Sequence, residues 1–533
     1  MYYDIIVKRT ERGIIIGVYL NPNNQNFYEA VNKEIYVDKS LLIERIEYLK
    51  EKVNKYICVS RPRRFGKSTD ANMLVAYYSK GCNSSHIFND LKISQTELYY
   101  KHLNQHNVIH VNMQDFLGYT HDVDKMIILL TRRIINDLKK SYNVELFDES
   151  ILSMSLEDVY SATNEQFIFI IDEWDCIFRE YLKNKEAQNR YLDFLRNLLK
   201  DKPYVKLAYM TGILPIKKYG THSALNMFEE ISMIEPELLA EFMGFTENEV
   251  KDLCSLYNVS YEEMREWYDG YYMTDCLSNF SPRSVVASID RKKFGNYWTS
   301  TETYEALRVY IDMNYDGLRD DVVKLLAGEE VYLNTNKFQN DMTTFKSKDD
   351  VLTLLIHLGY LGYNSSNQTC YIPNKEVTSS FVASVEDSSW NEPTKALLNS
   401  RELLEATWNQ DEKKVAKYIE EAHLDTSILT YNNENALSYT ISIAYMYARN
   451  YYTIEREMPS GKGYADMVLI PKDDKPAMII ELKWNQDVET AITQIKEKKY
   501  PKVLEEYKDN LLIVGITYDK KTKKHICRIE KIN

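Results

Sequence analysis

Short apolar runs alternate with helical patterns between about residue 30 and residue 220. Four largely apolar runs of five or six residues have the length of β-strands, and apolar residues recur at helical spacing in the segments between them. The strand-like runs are 56–60, 109–113, 167–171 and 205–210. Alternation of this kind is typical of a parallel sheet covered by helices. The pattern therefore predicts an α/β domain over residues 1–220.

The pattern changes after residue 220. Residues 221–385 are mostly helical in pattern with short aromatic-rich pieces, and we expect a helical or winged-helix-like lid region there. A polar stretch that ends at Pro393 marks a boundary, so residues 386–425 are expected to form a helical linker. Residues 426–533 contain two more strand-like runs and flanking helical patterns, which predict a small second α/β domain.

The loop after the first strand-like run has the composition of a phosphate-binding loop. The segment Arg61–Thr69 lies between the run 56–60 and a helical pattern at 72–78, and it contains Gly66-Lys67-Ser68. In such a loop, backbone N–H groups and the helix N-terminus surround a phosphate, the lysine reaches the terminal phosphates and the serine can ligate Mg²⁺. Arg61 stands where the usual pattern has a glycine. The order of strand, loop and helix favours a nucleotide site over an ordinary loop end.

Two further strand-like runs end in polar residues that suit the same site. Asp172 and Glu173 end one run, at the position where ligands bind in open α/β sheets. Asp172 would hold Mg²⁺ through water and Glu173 would polarise the attacking water, whereas the alternative is a buried strand that ends in solvated acids. Thr211 ends another run and can sense the γ-phosphate or simply terminate the strand. The residues predicted to bind the nucleotide are Arg63, Arg64, Phe65, Gly66, Lys67, Ser68, Thr69, Asp172 and Thr211.

A second group of charged residues lies on the two C-terminal strand-like runs. Asp466 is near the start of the first run, and Glu481 and Lys483 are near the end of the second. If the runs pair as a hairpin, the carboxylates come together, and Glu481 and Lys483 share one face because they are two residues apart. Asp466, Glu481 and the Leu482 carbonyl would ligate Mg²⁺, and Lys483 would orient or deprotonate water. The alternative is an exposed hairpin with a surface Glu–Lys pair.

Helical patterns on both sides of the hairpin add two candidate residues. Glu434 opens the pattern before it, and Gln494 lies in the pattern after it. The predicted catalytic residues are Glu173, Asp466, Glu481, Lys483, Glu434 and Gln494. The predicted metal ligands are Ser68, Asp172, Asp466, Glu481 and Leu482.

Together these motifs resemble one family, the AAA-ATPase-like proteins that carry a C-terminal domain of the PD-(D/E)XK nuclease superfamily. The resemblance runs from about residue 28 to about residue 515. The matching segments are Tyr36–Lys39, Arg61–Ser68, Ile171–Asp175, Trp267–Tyr271, Asn296–Trp298, Gly359–Leu361, Ile372–Val377, Gly461–Gly463, Asp466, Glu481–Lys483 and Gln494–Tyr500.

The resemblance implies an α/β chain with a P-loop, AAA-like NTPase domain over 1–220, the helical middle, and a restriction-endonuclease-like domain over 426–533. ATP and Mg²⁺ are the implied cofactors. Arg61 is then a trait of the family's loop. Two positions depart from the family pattern, since Trp174 replaces a tyrosine and Tyr464 replaces a frequent arginine. The second change removes a positive charge beside the candidate nuclease site.

Composition narrows the class of protein. The 533 residues are 44% hydrophobic and 27% charged, as expected of a soluble globular protein, and no apolar run approaches the roughly 20 residues of a membrane span. We expect no signal peptide, and the seven cysteines occur singly, so an intracellular, cytoplasmic location is expected, with a nuclear one left open. The net charge of −13 argues against nucleic acid coating the whole surface, but the lysine-rich tail leaves room for a local basic groove. Arg63 and Arg64 can contact phosphate or pair with acids.

Two functions fit these features. The first is an ATP-binding and ATP-hydrolysing protein coupled to a Mg²⁺-dependent nuclease that cuts phosphodiester bonds, with DNA favoured as the nucleic acid. The second is a nucleotide-controlled switch or nucleic-acid-binding scaffold with a non-cleaving nuclease-like domain. Because Asp466, Glu481 and Lys483 are all present, the enzyme is favoured. The substrate's structure, a homo-oligomer and the biological trigger stay open.

Overall fold

The computed structural model describes a series of segments that together span most of the chain. They are residues 17–216, 225–274, 277–298, 304–312, 315–326, 328–335, 338, 345–386, 391–425, 434–460, 463–472, 474–497, 504, 507, 509–519, 521–522 and 524–532. The chain divides into two compact units, residues 1–301 with 332–374, and residues 302–331 with 375–533. The division into four segments made from the sequence stays a prediction.

The helices of these segments are numbered in chain order. They are α1 Gln25–Val31, α2 Leu42–Lys52, α3 Lys67–Tyr78, α4 Ser85–Phe88, α5 Tyr99–His102, α6 Met113–Thr120, α7 Val123–Ser141, α8 Leu152–Thr163, α9 Cys176–Glu180, α10 Lys185–Leu199, α11 Glu247–Tyr257, α12 Tyr261–Tyr268, α13 Pro282–Arg291, α14 Tyr304–Asp312, α15 Leu318–Leu326, α16 Lys348–Leu358, α17 Lys375–Glu386, α18 Asn391–Trp408, α19 Glu412–Asp425, α20 Glu434–Ala444 and α21 Val488–Glu497. In the described part of the chain, none of them is both long and apolar enough to cross a bilayer.

The strands are numbered in the same way. They are β1 Tyr56–Ser60, β2 Asn107–Asn112, β3 Phe167–Asp172, β4 Val205–Gly212, β5 Glu229–Ile231, β6 Phe245–Thr246, β7 Tyr271–Thr274, β8 Leu277–Phe280, β9 Val331–Tyr332, β10 Gly362–Asn364, β11 Thr369–Tyr371, β12 Tyr452–Ser460, β13 Gly463–Pro471, β14 Ala477–Trp484, β15 Leu511–Asp519 and β16 Lys524–Ile532.

A five-stranded parallel sheet forms the centre of the first unit. Its order is β2-β3-β4-β1-β5, and each neighbouring pair is parallel. β1 and β3 are buried along their whole length, which explains why their sequences are apolar throughout and not alternating. Because all five strands run the same way, the residues that follow β1, β3 and β4 meet at one edge of the sheet. The predicted parallel α/β domain is confirmed.

The middle of the chain is helical, as predicted, and carries small antiparallel sheets. Helices α11–α13 pack together around a buried apolar cluster, beside the three-stranded sheet β6-β8-β7. β10 and β11 form an antiparallel hairpin after α16. The winged-helix-like character and the lid role of this region stay predictions.

The second unit contains a mixed five-stranded sheet of order β12-β13-β14-β15-β16. β13 and β14 pair antiparallel, as the hairpin prediction required, and β14 pairs parallel with β15. One apolar cluster joins the sheet to α18, α19 and α20, and another joins it to α21. The sheet is therefore covered by helices on both faces, which confirms the predicted small α/β domain.

Buried histidines lie near the amino-terminal ends of the parallel strands, close to the start of β2 and β4. The His102 and His106 rings are 2.9 Å apart between Nδ1 and Nε2, and His102 Nε2 lies 3.2 Å from the Glu47 carboxylate. Lys206 Nζ approaches His106 at 3.1 Å. Burial, followed by the positive charge of Lys206, lowers the pKa of His106 to about 3.

This histidine pair predicts a pH dependence of stability. His106 stays neutral in the fold, whereas an unfolded histidine takes up a proton near pH 6.5. The unfolded state then binds more protons, so the free energy of unfolding falls as the pH drops from about 6.5 towards 3, by at most about 3 kcal/mol at pH 4. We expect His106→Gln to flatten this slope in urea titrations at pH 4–7. Exposed His86→Gln is the control, and an equal slope in wild type and His106→Gln would contradict the assignment.

Candidate nucleotide and nuclease sites

The loop between β1 and α3 begins at the edge where the parallel strands end. Gly66 precedes the first helical residue with a left-handed φ of 91°, a conformation that glycine adopts at little cost. Arg64 is also left-handed, with φ of 67°. This curvature turns the chain sharply from the strand into the helix and leaves Lys67 and Ser68 at the helix N-terminus, where anions bind.

The Arg61 side chain explains why this loop does without the usual glycine. The guanidinium is only 1% exposed and turns into the protein, where it pairs with Asp70 at 2.7 Å and donates to the Phe242 carbonyl at 2.5 Å. Although burial alone would lower the pKa of Arg61, the Asp70 carboxylate raises it. Arg61 thus links the loop to α3 and to the Phe242 segment. Its contact with the Phe242 carbonyl was not predicted, because the two residues are 181 positions apart.

Lys67 is held inside the loop. The residue is 4% exposed, and its ammonium donates to the carbonyls of Arg61 at 3.0 Å and Pro62 at 2.9 Å. Burial lowers its pKa, while Glu173, Asp175 and Asp172 act in the opposite direction.

Ser68 and Asp172 meet across 104 residues of sequence. The Ser68 hydroxyl donates to Asp172 Oδ2 at 2.6 Å, and the Thr211 hydroxyl donates to Asp172 Oδ1. Asp172 is 3% exposed and also accepts the Glu173 N–H at 3.0 Å. Thr211 therefore orients Asp172 in this structure. Whether it also senses phosphate stays a prediction.

Glu173 follows β3 in a left-handed backbone conformation, with φ of 53°. Its carboxylate pairs with the Arg179 guanidinium on α9, and Arg179 also contacts Asp175 at 3.3 Å. Burial raises the pKa of Glu173, whereas Lys67 and Arg179 act to lower it. Arg179 was not among the residues predicted from the sequence. Its spacing of four residues from Asp175 on a helical turn was the available signal.

A cavity of about 970 Å³ lies beside the loop, and neither Asp172 nor Thr211 is among its lining residues in the described part of the chain. Its polar side is formed by the loop, Glu173 and Arg179, and exposed Arg63 and Arg64 also line it. Its apolar side includes Tyr36 and Val37, which belong to one of the matched family segments. The loop residues from 63 to 69 and Glu173 therefore share one cavity.

The middle of the first unit contacts the outer side of the loop. Trp298 Nε1 donates to the Arg63 carbonyl at 2.9 Å, and the Phe65 ring meets Tyr271 edge-on at a centroid distance of 5.2 Å. Tyr271 in turn donates to the Gly359 carbonyl at 2.9 Å. Three of the matched family segments thus serve to hold the loop.

Gly359 gives a test of this contact. It ends α16 with φ of 88°, and a Cβ there would lie 2.8 Å from Cβ and Cγ of Pro62. We expect Gly359→Ala to lower the free energy of unfolding by about 1–2 kcal/mol and to weaken nucleotide binding, because the loop must shift. Urea unfolding and nucleotide titration measure the two effects. Gly118→Ala, in a helix with open space around it, should not weaken binding; equal affinities for both variants would count against the contact.

Asp466, a predicted metal ligand of the C-terminal domain, lies where β13 and β14 separate. The described backbone pairing of these strands ends at Met467 and Ile480. Beyond it, Asp466 Oδ2 accepts the Leu482 N–H at 2.7 Å. The carboxylate thus takes the place of a backbone acceptor, which fixes it beside the segment that carries Glu481 and Lys483.

Glu481, Lys483 and Gln494 converge on one face of β14. Glu481 is 2% exposed and Lys483 is 8% exposed. Lys483 Nζ donates to Glu481 Oε1 at 3.2 Å, and Gln494 Nε2 donates to the same oxygen from α21. Gly515, opposite Glu481 on β15, allows α21 to approach, since a Cβ there would lie 3.0 Å from Ala491 Cβ. The alternative of an exposed hairpin is wrong, because this pair is buried.

Other predicted residues near this site lie outside the described residues. The backbone of Glu434 begins α20, but its side chain is not among them, and neither are Tyr500, Gly461 and Lys462. The basic tail is partly neutralised. Lys496 pairs with Glu530 at 2.6 Å, and Arg528 contacts Glu412 and Glu489 at 3.4 and 3.6 Å.

Both groups offer oxygen ligands of the kind Mg²⁺ prefers. Ser68 and Asp172 supply a hydroxyl and a carboxylate, and Asp466, Glu481 and the Leu482 carbonyl supply the second set. In the described segments, no three His, Cys, Asp or Glu side chains converge as a metal site. Mg²⁺ at either place would therefore need hydroxyl, carbonyl, water or phosphate oxygens as well. The donor sets fit such a hydrated cation.

Two family models match the chain. Residues 24–221 match the model described as a predicted AAA-ATPase, and residues 433–527 match the PD-(D/E)XK nuclease superfamily. The chain therefore combines a predicted AAA-ATPase domain with a nuclease-superfamily domain, and the family resemblance drawn from the sequence is confirmed.

Individual relatives are more distant. An uncharacterized protein in the vnfD 5′ region of Azotobacter chroococcum mcd 1 is 24% identical over 280 residues, which cover 50% of this chain and 51% of that protein. The chain thus spans about half the length of this curated relative. A Walker-type ATPase of Pyrococcus abyssi is 14% identical with a TM-score of 0.36, covering 65% of this chain and 96% of that one. The Aeropyrum pernix ORC2 protein is 12% identical with a TM-score of 0.32, covering 67% and 98%. Scores this low carry no argument about activity.

Proposed function

We propose that this protein binds and hydrolyses ATP and that its C-terminal domain is a Mg²⁺-dependent nuclease whose activity depends on the nucleotide state. The substrate would be a nucleic acid phosphodiester, with DNA favoured. The two domain types are those of the matched families, and the activities are the proposal.

The contact between Ser68 and Asp172 carries the ATP part. A hydroxyl at a helix N-terminus and a buried carboxylate, 104 residues apart, meet at 2.6 Å, and the hydroxyl lines one large cavity together with Lys67. Lys67 would leave its loop carbonyls for the terminal phosphates, and Glu173 would orient the attacking water. Bound Mg²⁺ would offset phosphate charge. The apolar wall near Tyr36 suits a nucleobase.

The nuclease part rests on the cluster around Glu481. Asp466 and Glu481 would hold the metal with the Leu482 carbonyl, and bound Mg²⁺ would polarise the phosphodiester and its water. Lys483 would offset negative charge that develops on the phosphate. Gln494 holds Glu481 at one oxygen, which fixes the direction of its other oxygen.

Two observations favour the alternative of a non-cleaving switch or scaffold. The cations of the tail are paired with acids at Lys496 and Arg528, and the whole chain has a net charge of −13. A nuclease gains affinity from unpaired cations along the backbone path. The buried, complete carboxylate–lysine group weighs more, since a scaffold has no need of it.

The experiment is a combined assay on the full chain. ATP turnover is measured with Mg²⁺, and linear, circular and single-stranded DNA and RNA are incubated with Mg²⁺, with and without ATP. We expect ATP hydrolysis and ATP-dependent cutting of at least one substrate. ATP hydrolysis with no cutting of any substrate would favour the switch, and an absence of ATP turnover would overturn the proposal as a whole.

A further inference from the structure

Arg179 connects the candidate catalytic glutamate to the rigid part of the fold. Its guanidinium pairs with Glu173, contacts Asp175 through Nε at 3.3 Å and reaches Gln114 Oε1 at 3.4 Å. Asp175 is fully buried and accepts the backbone N–H groups of Ile213 and Leu214 at 3.0 and 2.9 Å. The far end of this chain of contacts is therefore fixed by the segment after β4.

The Gln114 contact fixes Arg179 from a second helix. Gln114 lies on α6, and its amide also donates to Glu180, the residue after Arg179. Arg179 thus contacts both α6 and Asp175, and it lines the cavity together with Glu173. A side chain that is held at two places can hold a third group in a fixed direction.

Glu173 needs such a support. Glu173 lies one residue beyond the end of β3 in a left-handed conformation, and its carboxylate is paired with Arg179. A freely rotating carboxylate would spend little time in the orientation that activates water, and loss of orientation alone can cost up to about a hundredfold in rate.

We propose that Arg179 is the positioning residue of Glu173, acting on ATP hydrolysis by fixing that carboxylate and not by contacting phosphate. The inference rests on the proposed ATPase function. It names a residue on α9 that lies outside the phosphate loop and outside the residues predicted from the sequence.

Phosphate contact is the main competing role, since Arg179 also lines the cavity. The geometry favours positioning, because the terminal nitrogen Nη2 is engaged by both Glu173 and Gln114, and Nε lies 3.3 Å from the buried Asp175 carboxylate. Contact of Nη2 with phosphate would require its bond to Glu173 to break. The two roles differ in what they do to nucleotide affinity and in whether they need Glu173.

The test is a double-mutant cycle on the full chain. The variants are Arg179→Ala, Arg179→Lys, Glu173→Gln and the Glu173→Gln/Arg179→Ala double variant. Arg190→Ala is the matched control, because it removes an arginine–aspartate pair at 2.6 Å on the surface of α10. The measurements are kcat for ATP, the Kd of a fluorescent ATP analogue without turnover, and the melting temperature.

We expect Arg179→Ala to lower kcat by about ten- to a hundredfold and to leave the Kd within about twofold of wild type. Arg179→Lys should restore part of the loss, because its ammonium can still pair with Glu173. In the Glu173→Gln background, Arg179→Ala should change the residual rate by less than about twofold. Arg190→Ala should match wild type in all three measurements.

Three results for the variants would overturn the inference, and one result for the wild type would also do so. A Kd weakened about tenfold or more in Arg179→Ala, or an undiminished effect in the Glu173→Gln background, would assign Arg179 to phosphate. An unchanged kcat would leave it a structural residue. If Arg179→Ala does not fold, the same criteria apply to Arg179→Lys, which retains the charge but not the fork. If the wild-type protein binds the analogue but does not hydrolyse ATP, the proposed ATPase function is wrong. The role of Arg179 then falls with it, and no variant is needed to show this.

Discussion

Lys67→Ala should remove ATP hydrolysis almost completely, with kcat/KM lowered by at least about a hundredfold. The lysine ammonium would contribute charge-assisted hydrogen bonds to the terminal phosphates, and these strengthen as charge shifts between the phosphates during transfer. Alanine can supply neither charge nor donor. A hundredfold loss corresponds to about 2.7 kcal/mol, within the range of one or two such bonds.

The fold of the Lys67→Ala variant should survive. The Lys67 ammonium donates to the Arg61 and Pro62 carbonyls, the two hydrogen bonds that it makes to the described residues, and burial lowers its pKa. Removing a desolvated charge therefore costs little, and the melting temperature should equal or exceed that of wild type. Lys202→Ala is the control, since Lys202 pairs with Glu157 at 2.6 Å far from the loop. Wild-type turnover in Lys67→Ala would remove the nucleotide proposal.

Asp466→Asn and Lys483→Gln should each abolish Mg²⁺-dependent cutting of nucleic acid, by at least about a hundredfold. Asparagine retains an oxygen that can accept the Leu482 N–H but loses the negative charge that a hard cation requires. Glutamine at 483 can still donate to Glu481 but cannot offset charge on the phosphate. The measurement is the initial rate on whichever substrate wild type cuts.

These amide variants are preferable to alanine for a physical reason. Both substitutions at 483 remove the ammonium partner of buried Glu481, but Lys483→Ala also removes the hydrogen-bond donor, and a buried charge left without its partner costs about 3–5 kcal/mol. Unfolding could then imitate a loss of catalysis. Lys496→Ala removes an exposed lysine from the same domain and is the control for charge. Should both amide variants cut at the wild-type rate, the catalytic centre lies elsewhere.

Local elements were readable from the sequence because their signals are local. β1 coincides with the predicted run, and β3 and β4 extend their runs by one and two residues, because continuous apolar residues have few other places in a soluble protein. The β13–β14 hairpin follows from two runs joined by a short turn. Glu481 and Lys483 were predicted to share one face because they are two residues apart in a strand, and in the structure they do.

Contacts between distant segments were not readable. Arg61 occupies a position where the usual loop pattern has glycine. The structure explains the arginine, because its side chain pairs with Asp70 and donates to the Phe242 carbonyl. The matched segments around Tyr271, Trp298 and Gly359 could be recognised in the sequence. Their contacts with the phosphate loop and with one another could not be predicted from it. Arg179 carried no motif at all.

The sequence by itself determined the strand and helix pattern, the residue types of a phosphate-binding loop and of a carboxylate–lysine group, and the family of each domain. These depend on residues that are close in the chain, where spacing fixes geometry. The tertiary structure decided which side chains hold those residues in place, namely Thr211 on Asp172, Arg179 on Glu173 and Gln494 on Glu481. Such partners are set by how elements pack, and packing joins positions that no local pattern relates.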